Sequence, residues 1–265
     1  MHGEIEQVDL AVVALEIARD EFPDLEVDCW LARLDVMGRQ VRERISPGDD
    51  PEARIEQINR FLFVEEGYRG NTEHYYDPRN SFLNEVLERK LGIPITLSLV
   101  YLAIAKRVGL GMRGVGMPAH FIVKFMGPER EIFVDPFHRG AILTREDCEQ
   151  RVSQVVGLPV TLTVDQLEPS PNDQVVLRLL GNLKAIYMKQ TDLVRALRVQ
   201  ERICAIHQSD AAELRDLGLL YLRNNRPTPA IEHLREYCRL TPAGEDLETV
   251  QTLLKAALRL GATMN

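Results

Sequence analysis

Cysteine is scarce in this chain of 265 residues: Cys29, Cys148, Cys204 and Cys238 are too few and too far apart for a disulfide framework or a paired metal knuckle. They read as reduced core thiols of a cytoplasmic protein. Long hydrophobic runs are missing too. The longest, Ile93 to Ala105, is broken by Pro94, Thr96 and Ser98 and falls short of the roughly 18 residues a membrane span needs. The opening MHGEIEQVDL lacks a basic segment followed by an apolar one, so no signal peptide is expected. Nor is there a basic excess, since 32 Lys and Arg against 40 Asp and Glu give a net charge of −8. That balance argues against a nucleic-acid coat or an anionic membrane surface as partner. What remains is the composition of a folded protein, 45% hydrophobic and 27% charged, long enough for one or two domains. The acid excess sits at the front: residues 1–165 hold 19 basic and 28 acidic side chains, and residues 166–265 hold 13 and 12.

Apolar residues at helical spacing over 8–22 and 26–45, separated by Pro23-Asp24, predict a helical hairpin. A third helix is expected from Glu52 to Glu65, then a polar surface excursion from Gly67 to Pro78 that contains Tyr68, Tyr75 and Tyr76. Asn80 and Ser81 are candidate N-caps for a short helix through Lys90. Pro94 suits the first turn of the next helix, and Ile95 to Arg107 is apolar nearly all round, as befits a helix at the centre of a domain. Alternation then marks three strands, Met112 to Met117, His120 to Phe125 and Glu131 to Asp135, the last two joined by a turn over 126–130. Thr144-Arg145-Glu146-Asp147 resembles a helix start, and Val160 to Leu167 reads as one further short strand. The segment 165–173, with two prolines and no apolar period, is the linker candidate. Beyond it, seven positions repeat at an offset of 34, among them Leu183/Leu217, Tyr187/Tyr221, Ala196/Ala230 and Cys204/Cys238. Thirty-four is the tetratricopeptide period.

For chemistry, His120 and Asp135 stand out. With an even-numbered loop such as Met126 to Glu129, the hairpin sets the two opposite each other on one face, where a carboxylate can orient an imidazole. No cysteine is placed to serve that imidazole as a nucleophile. Thr96 and Ser98 offer hydroxyls near the start of the central helix but lie about 200° apart around it, so both cannot face one site. Buried Ser and Thr more often bond back to their own helix. A metal centre of His74, His120, Asp135 and His138 lacks an H-x-x-x-H pair, and neither metal nor cofactor is expected.

The succession of Asn80-Ser81-Phe82-Leu83-Asn84, Gly92-Ile93-Pro94, Lys106-Arg107-Val108-Gly109-Leu110, Gly116-Met117-Pro118-Ala119-His120-Phe121 and Val134-Asp135-Pro136-Phe137 resembles the bacterial SirB-type family over nearly the whole chain. That resemblance implies an α+β fold: a transglutaminase-like (papain-like) core with a small antiparallel sheet and helical shell over 1–165, and an all-α tetratricopeptide-like domain over 172–265. It implies that His120 and Asp135 hold the positions of the catalytic His and Asp, and that the nucleophile's position falls near Thr96, with no cysteine anywhere in 30–147. The expectation is therefore a binding or regulatory protein, with a ligand groove at Asn80, Asn84, Ser98 and Tyr101 and a protein or peptide partner for the tail. The alternative is a hydrolase or amidase using His120 and Asp135 with water or Thr96.

Overall fold

A computed structural model describes residues 9–127 and 131–263, and its contacts divide the chain into two units, Met1–Val176 and Leu177–Asn265. In the first unit, helix α1 spans Leu10–Ala18, with Asp9 accepting from the Ala11 N–H, and α2 spans Val27–Arg42. Both are shorter than their apolar periodicity predicts. Asp50 caps α3, Pro51–Asn59, with Pro51 in its first turn. The chain then continues as a π-helix, Arg60–Glu65, in place of the expected α-helix to Glu65. The wider turn lets three consecutive large side chains, Phe61, Leu62 and Phe63, all reach the interior.

The polar excursion is less exposed than its composition predicts. Tyr68 is buried and donates to the Leu87 carbonyl, whereas Tyr75 and Tyr76 stay exposed. Two short strands that periodicity cannot show, β1 (Arg69–Gly70) and β2 (Leu91–Gly92), pair in parallel across its base. Helix α4, Leu83–Arg89, begins later than expected: Phe82 holds the cap position with no side-chain bond, and Pro78–Asn80 form a 3-10 turn. Helix α5, Pro94–Arg107, is buried along most of its length, as its composition requires.

The sheet has four antiparallel strands in the order β3 (Met112–Met117), β4 (His120–Phe125), β5 (Phe133–Asp135) and β6 (Ala141–Leu143). Strand β6 is unforeseen in the sequence, and the strand expected over 160–167 is irregular chain ending in a 3-10 turn at Asp165–Leu167. The two faces are distinct. Val115, Met117, Ile122 and Phe133 pack on Cys148 and Val152 of α6 (Arg145–Val156), which Thr144 and Asp147 cap reciprocally. Gly114 and Phe121 face the other way, where Leu102 of α5 lies across them. The proline-rich segment after the sheet is pinned, not loose. Ser170 N–H donates to the Gly114 carbonyl, its Oγ accepts from Gly116 N–H, and the buried Lys124 ammonium reaches the Leu167 carbonyl and Glu168.

From α7 (Asn172–Lys189) the chain is helical: α8 Leu193–Ile206, α9 Ala211–Arg223, α10 Pro227–Leu240 and α11 Leu247–Thr263. Gly218 lets α9 approach Leu234 of α10, and Tyr221 stacks on His233. Asp192 and Asp210 cap α8 and α9. Among the described residues no helix is long and apolar enough to cross a membrane. Cys148 and Cys204 are buried, but Cys29 is exposed, so the expectation of core thiols fails for that one.

Candidate functional site

His120 opens β4 and Asp135 closes β5. The observed pairs Val123↔Val134 and Lys124↔Phe133, with Phe125 N–H bonded to the Ile132 carbonyl, shift the register two residues from the one a loop of Met126 to Glu129 requires. Residues 128–130 of that turn lie outside the described residues. An even shift keeps the side chains on one face, so His120 sits diagonal to Asp135, and His120 Nε2 is 2.9 Å from Asp135 Oδ2.

Asp135 is the hub. Pro136 fixes the first residue of a 3-10 turn, Pro136–His138, and Asp135 Oδ1 caps it by accepting from the N–H groups of Phe137 and His138. The same turn swings the His138 ring back, so its Nδ1 lies 2.7 Å from Oδ2. From α6, Arg151 Nε lies 3.3 Å from that oxygen. Burial alone would raise the Asp135 pKa, but the hydrogen bonds from His120 and His138 outweigh it and hold the carboxyl well below the usual carboxylate range. His138 and Arg151 have no signal in helical or strand periodicity. The local clue is Asp-Pro-Phe-His, which places an acceptor, a turn-starting proline and an imidazole on a single turn.

Thr96 does not join this pair. It lies in α5, across the sheet from the face that carries His120 and Asp135, and its hydroxyl donates to the Asn80 carbonyl at 2.7 Å while accepting from Ile93 N–H at 3.1 Å. Thr96 Oγ1 lies against Gly92, which pairs with Gly70 at the β1–β2 ladder, and the Phe137 ring abuts both Gly70 and His120. Cys148 lies near Asp135, yet burial, reinforced by the charges of Asp135 and Asp147, pushes its thiol up to about 12, so no thiolate forms at neutral pH. The expected groove residues divide. Asn80 is fully used, donating to the carbonyls of His74 and Tyr75 and accepting from Asn71. Asn84 Oδ1, Ser98 Oγ and the Tyr101 hydroxyl are buried without hydrogen-bond partners among the described residues. Tyr101→Phe is therefore expected to raise the stability of the unliganded protein by about 1 kcal/mol, read from the urea midpoint; a loss would mean that the hydroxyl has a hydrogen-bond partner in solution.

Of the four candidate metal ligands, His74 is apart, whereas ligand atoms of His120, Asp135 and His138 all lie within 4.8 Å of one another. Around them is an aromatic rim of Phe137, Tyr75 and Tyr76 in edge contacts.

This sheet, with its His–Asp pair and the helical array behind it in sequence, defines a transglutaminase-like core followed by a tetratricopeptide-type tail. The chain matches the transglutaminase-like superfamily over residues 28–181 and the tetratricopeptide repeat over 183–255. A UPF0162 protein of Xylella fastidiosa is 33% identical over 249 residues, covering 93% of this chain and 89% of the relative. UPF0162 protein YchA of Escherichia coli K12 is 25% identical over 232 residues, covering 87% and 85%. Human F-box only protein 21 is 31% identical over 140 residues, covering 50% of this chain and 21% of that protein. The chain belongs to the UPF0162 family of transglutaminase-like proteins.

Proposed function

We propose that this protein, of the SirB type, is a cytoplasmic binding or regulatory factor, with a ligand or peptide groove in its core and a protein contact on its tail. The observation that carries this reading is the Thr96 hydroxyl, spent on the Asn80 carbonyl and on the Ile93 N–H. Covalent acyl transfer needs a nucleophile within reach of its base, and neither this hydroxyl nor the protonated Cys148 thiol meets that need. Tandem helical repeats stack into extended binding surfaces, which supports a protein partner for the tail. The groove would use the unpartnered polar atoms of Asn84, Ser98 and Tyr101.

The 2.9 Å contact between His120 and Asp135 favours a second reading, a hydrolase or amidase in which the imidazole activates water. Purified protein assayed on amide and ester panels separates the two. No turnover is expected; turnover in the wild type that disappears in His120→Ala would overturn the binding reading.

A further inference from the structure

We propose that His120, Asp135 and His138 form a binding site for one divalent transition-metal cation of the zinc type. The starting point is an imbalance at a single oxygen. A carboxylate oxygen has two lone pairs, yet three nitrogen groups converge on Asp135 Oδ2: His120 Nε2 at 2.9 Å, His138 Nδ1 at 2.7 Å and Arg151 Nε at 3.3 Å. The loser is visible, since Arg151 Nε is buried with no hydrogen bond among the described residues.

A cation resolves the imbalance. It takes one lone pair of Oδ2 and the two imidazole nitrogens, and it leaves the other lone pair to the Arg151 N–H, the kind of outer-shell bond that ligating carboxylates receive. Ligand atoms around a tetrahedral zinc stand about 3.3 Å apart, given metal–ligand distances of about 2.0 Å. The two distances to Oδ2 are slightly shorter and all three atoms lie within 4.8 Å, so small rotations complete the set. His138 supplies both the give and the entry path, with its side chain 38% exposed, while His120 and Asp135 form a buried, fixed floor. Asp135 is further held in place by the two backbone N–H groups on Oδ1. The Arg151 charge opposes the cation, which places the site among moderate binders and not among structural zinc centres.

The test is titration of the full-length protein with Zn²⁺ and, separately, Co²⁺ at neutral pH. Expected are one ion per chain, a rise in the melting temperature with Zn²⁺, and visible cobalt bands of nitrogen and oxygen ligation without the thiolate charge-transfer band that the exposed Cys29 would produce. His138→Ala should weaken affinity at least tenfold, and His74→Ala should leave it unchanged. Should His138→Ala fold poorly, His138→Gln and the shifted imidazole N–H resonances of the cobalt-loaded wild type give the same answer. Failure of the wild type to bind either ion, a thiolate cobalt spectrum, or undiminished binding in His138→Ala overturns the site.

Discussion

Asp135→Ala should lower the stability of the folded chain by about 3–5 kcal/mol, the range for removing one partner of a buried ion pair. The carboxylate is fully buried and accepts from His120, His138 and two backbone N–H groups. Alanine removes the acceptor that those donors share and the negative charge that faces the buried Arg151 Nε. The measurement is the urea midpoint at pH 7 against the wild type; a change under about 1 kcal/mol would show that the hub is replaceable by water. The pH dependence has a definite sign. The folded pKa of Asp135 lies below the unfolded value of about 3.9, so its contribution is fully present above that value and is lost as pH falls through the folded pKa. The gap between wild type and Asp135→Asn should therefore be wide at pH 7 and narrow progressively below about pH 4.

The second large effect lies in the tail, where two helical glycines should answer substitution with opposite signs. A Cβ on Gly218 would stand 2.6 Å from Leu234 Cγ and Cδ2, and Leu234 is fully buried beside Tyr237 and Val250. Nothing there can yield cheaply. Gly218→Leu should cost about 3 kcal/mol through overpacking. At Gly181, inside α7, a Cβ meets nothing within 4 Å. Gly181→Ala should gain about 1 kcal/mol from helix propensity alone. Calorimetric melting of both variants checks the pair; equal shifts of the same sign would mean that the contact between α9 and α10 is looser than its geometry.

Which parts of the molecule were legible in its sequence follows from how local their causes are. The buried α5, strands β3 and β4, the capping box at Thr144 and the 34-residue repeat all rest on periodicity or on residues three or four apart, and all are found. Strands β1, β2 and β6 are two or three residues long, too short to carry a period, and they exist because a neighbouring strand is there to pair with. The π-helix at Arg60–Glu65 likewise depends on what surrounds Phe61 to Phe63. At the site, parity was enough to put His120 and Asp135 on one face, while the exact register was not. His138 arrives through a turn and Arg151 from a helix sixteen residues beyond Asp135, neither of which a strand pattern encodes. The sequence likeness that pointed to Thr96 identifies a position along α5. It carries no information about where the hydroxyl of that residue finds its acceptor, and that depends on Asn80.

The turn after Asp135 is bolted to the end of α3 and to the π-helix that follows it. Asn59 Nδ2 donates to the Gly140 carbonyl, and Arg139 donates to the Phe63 carbonyl, across sequence separations of 81 and 76 residues. Closing loops of that length costs chain entropy before any contact repays it, so structures that depend on them form slowly. In a folding experiment, then, the helices and the β3–β4 hairpin should be protected from hydrogen exchange before the amides of 137–140. The histidine cluster is thereby a late product of folding, assembled only after chain from both sides of the sheet has arrived.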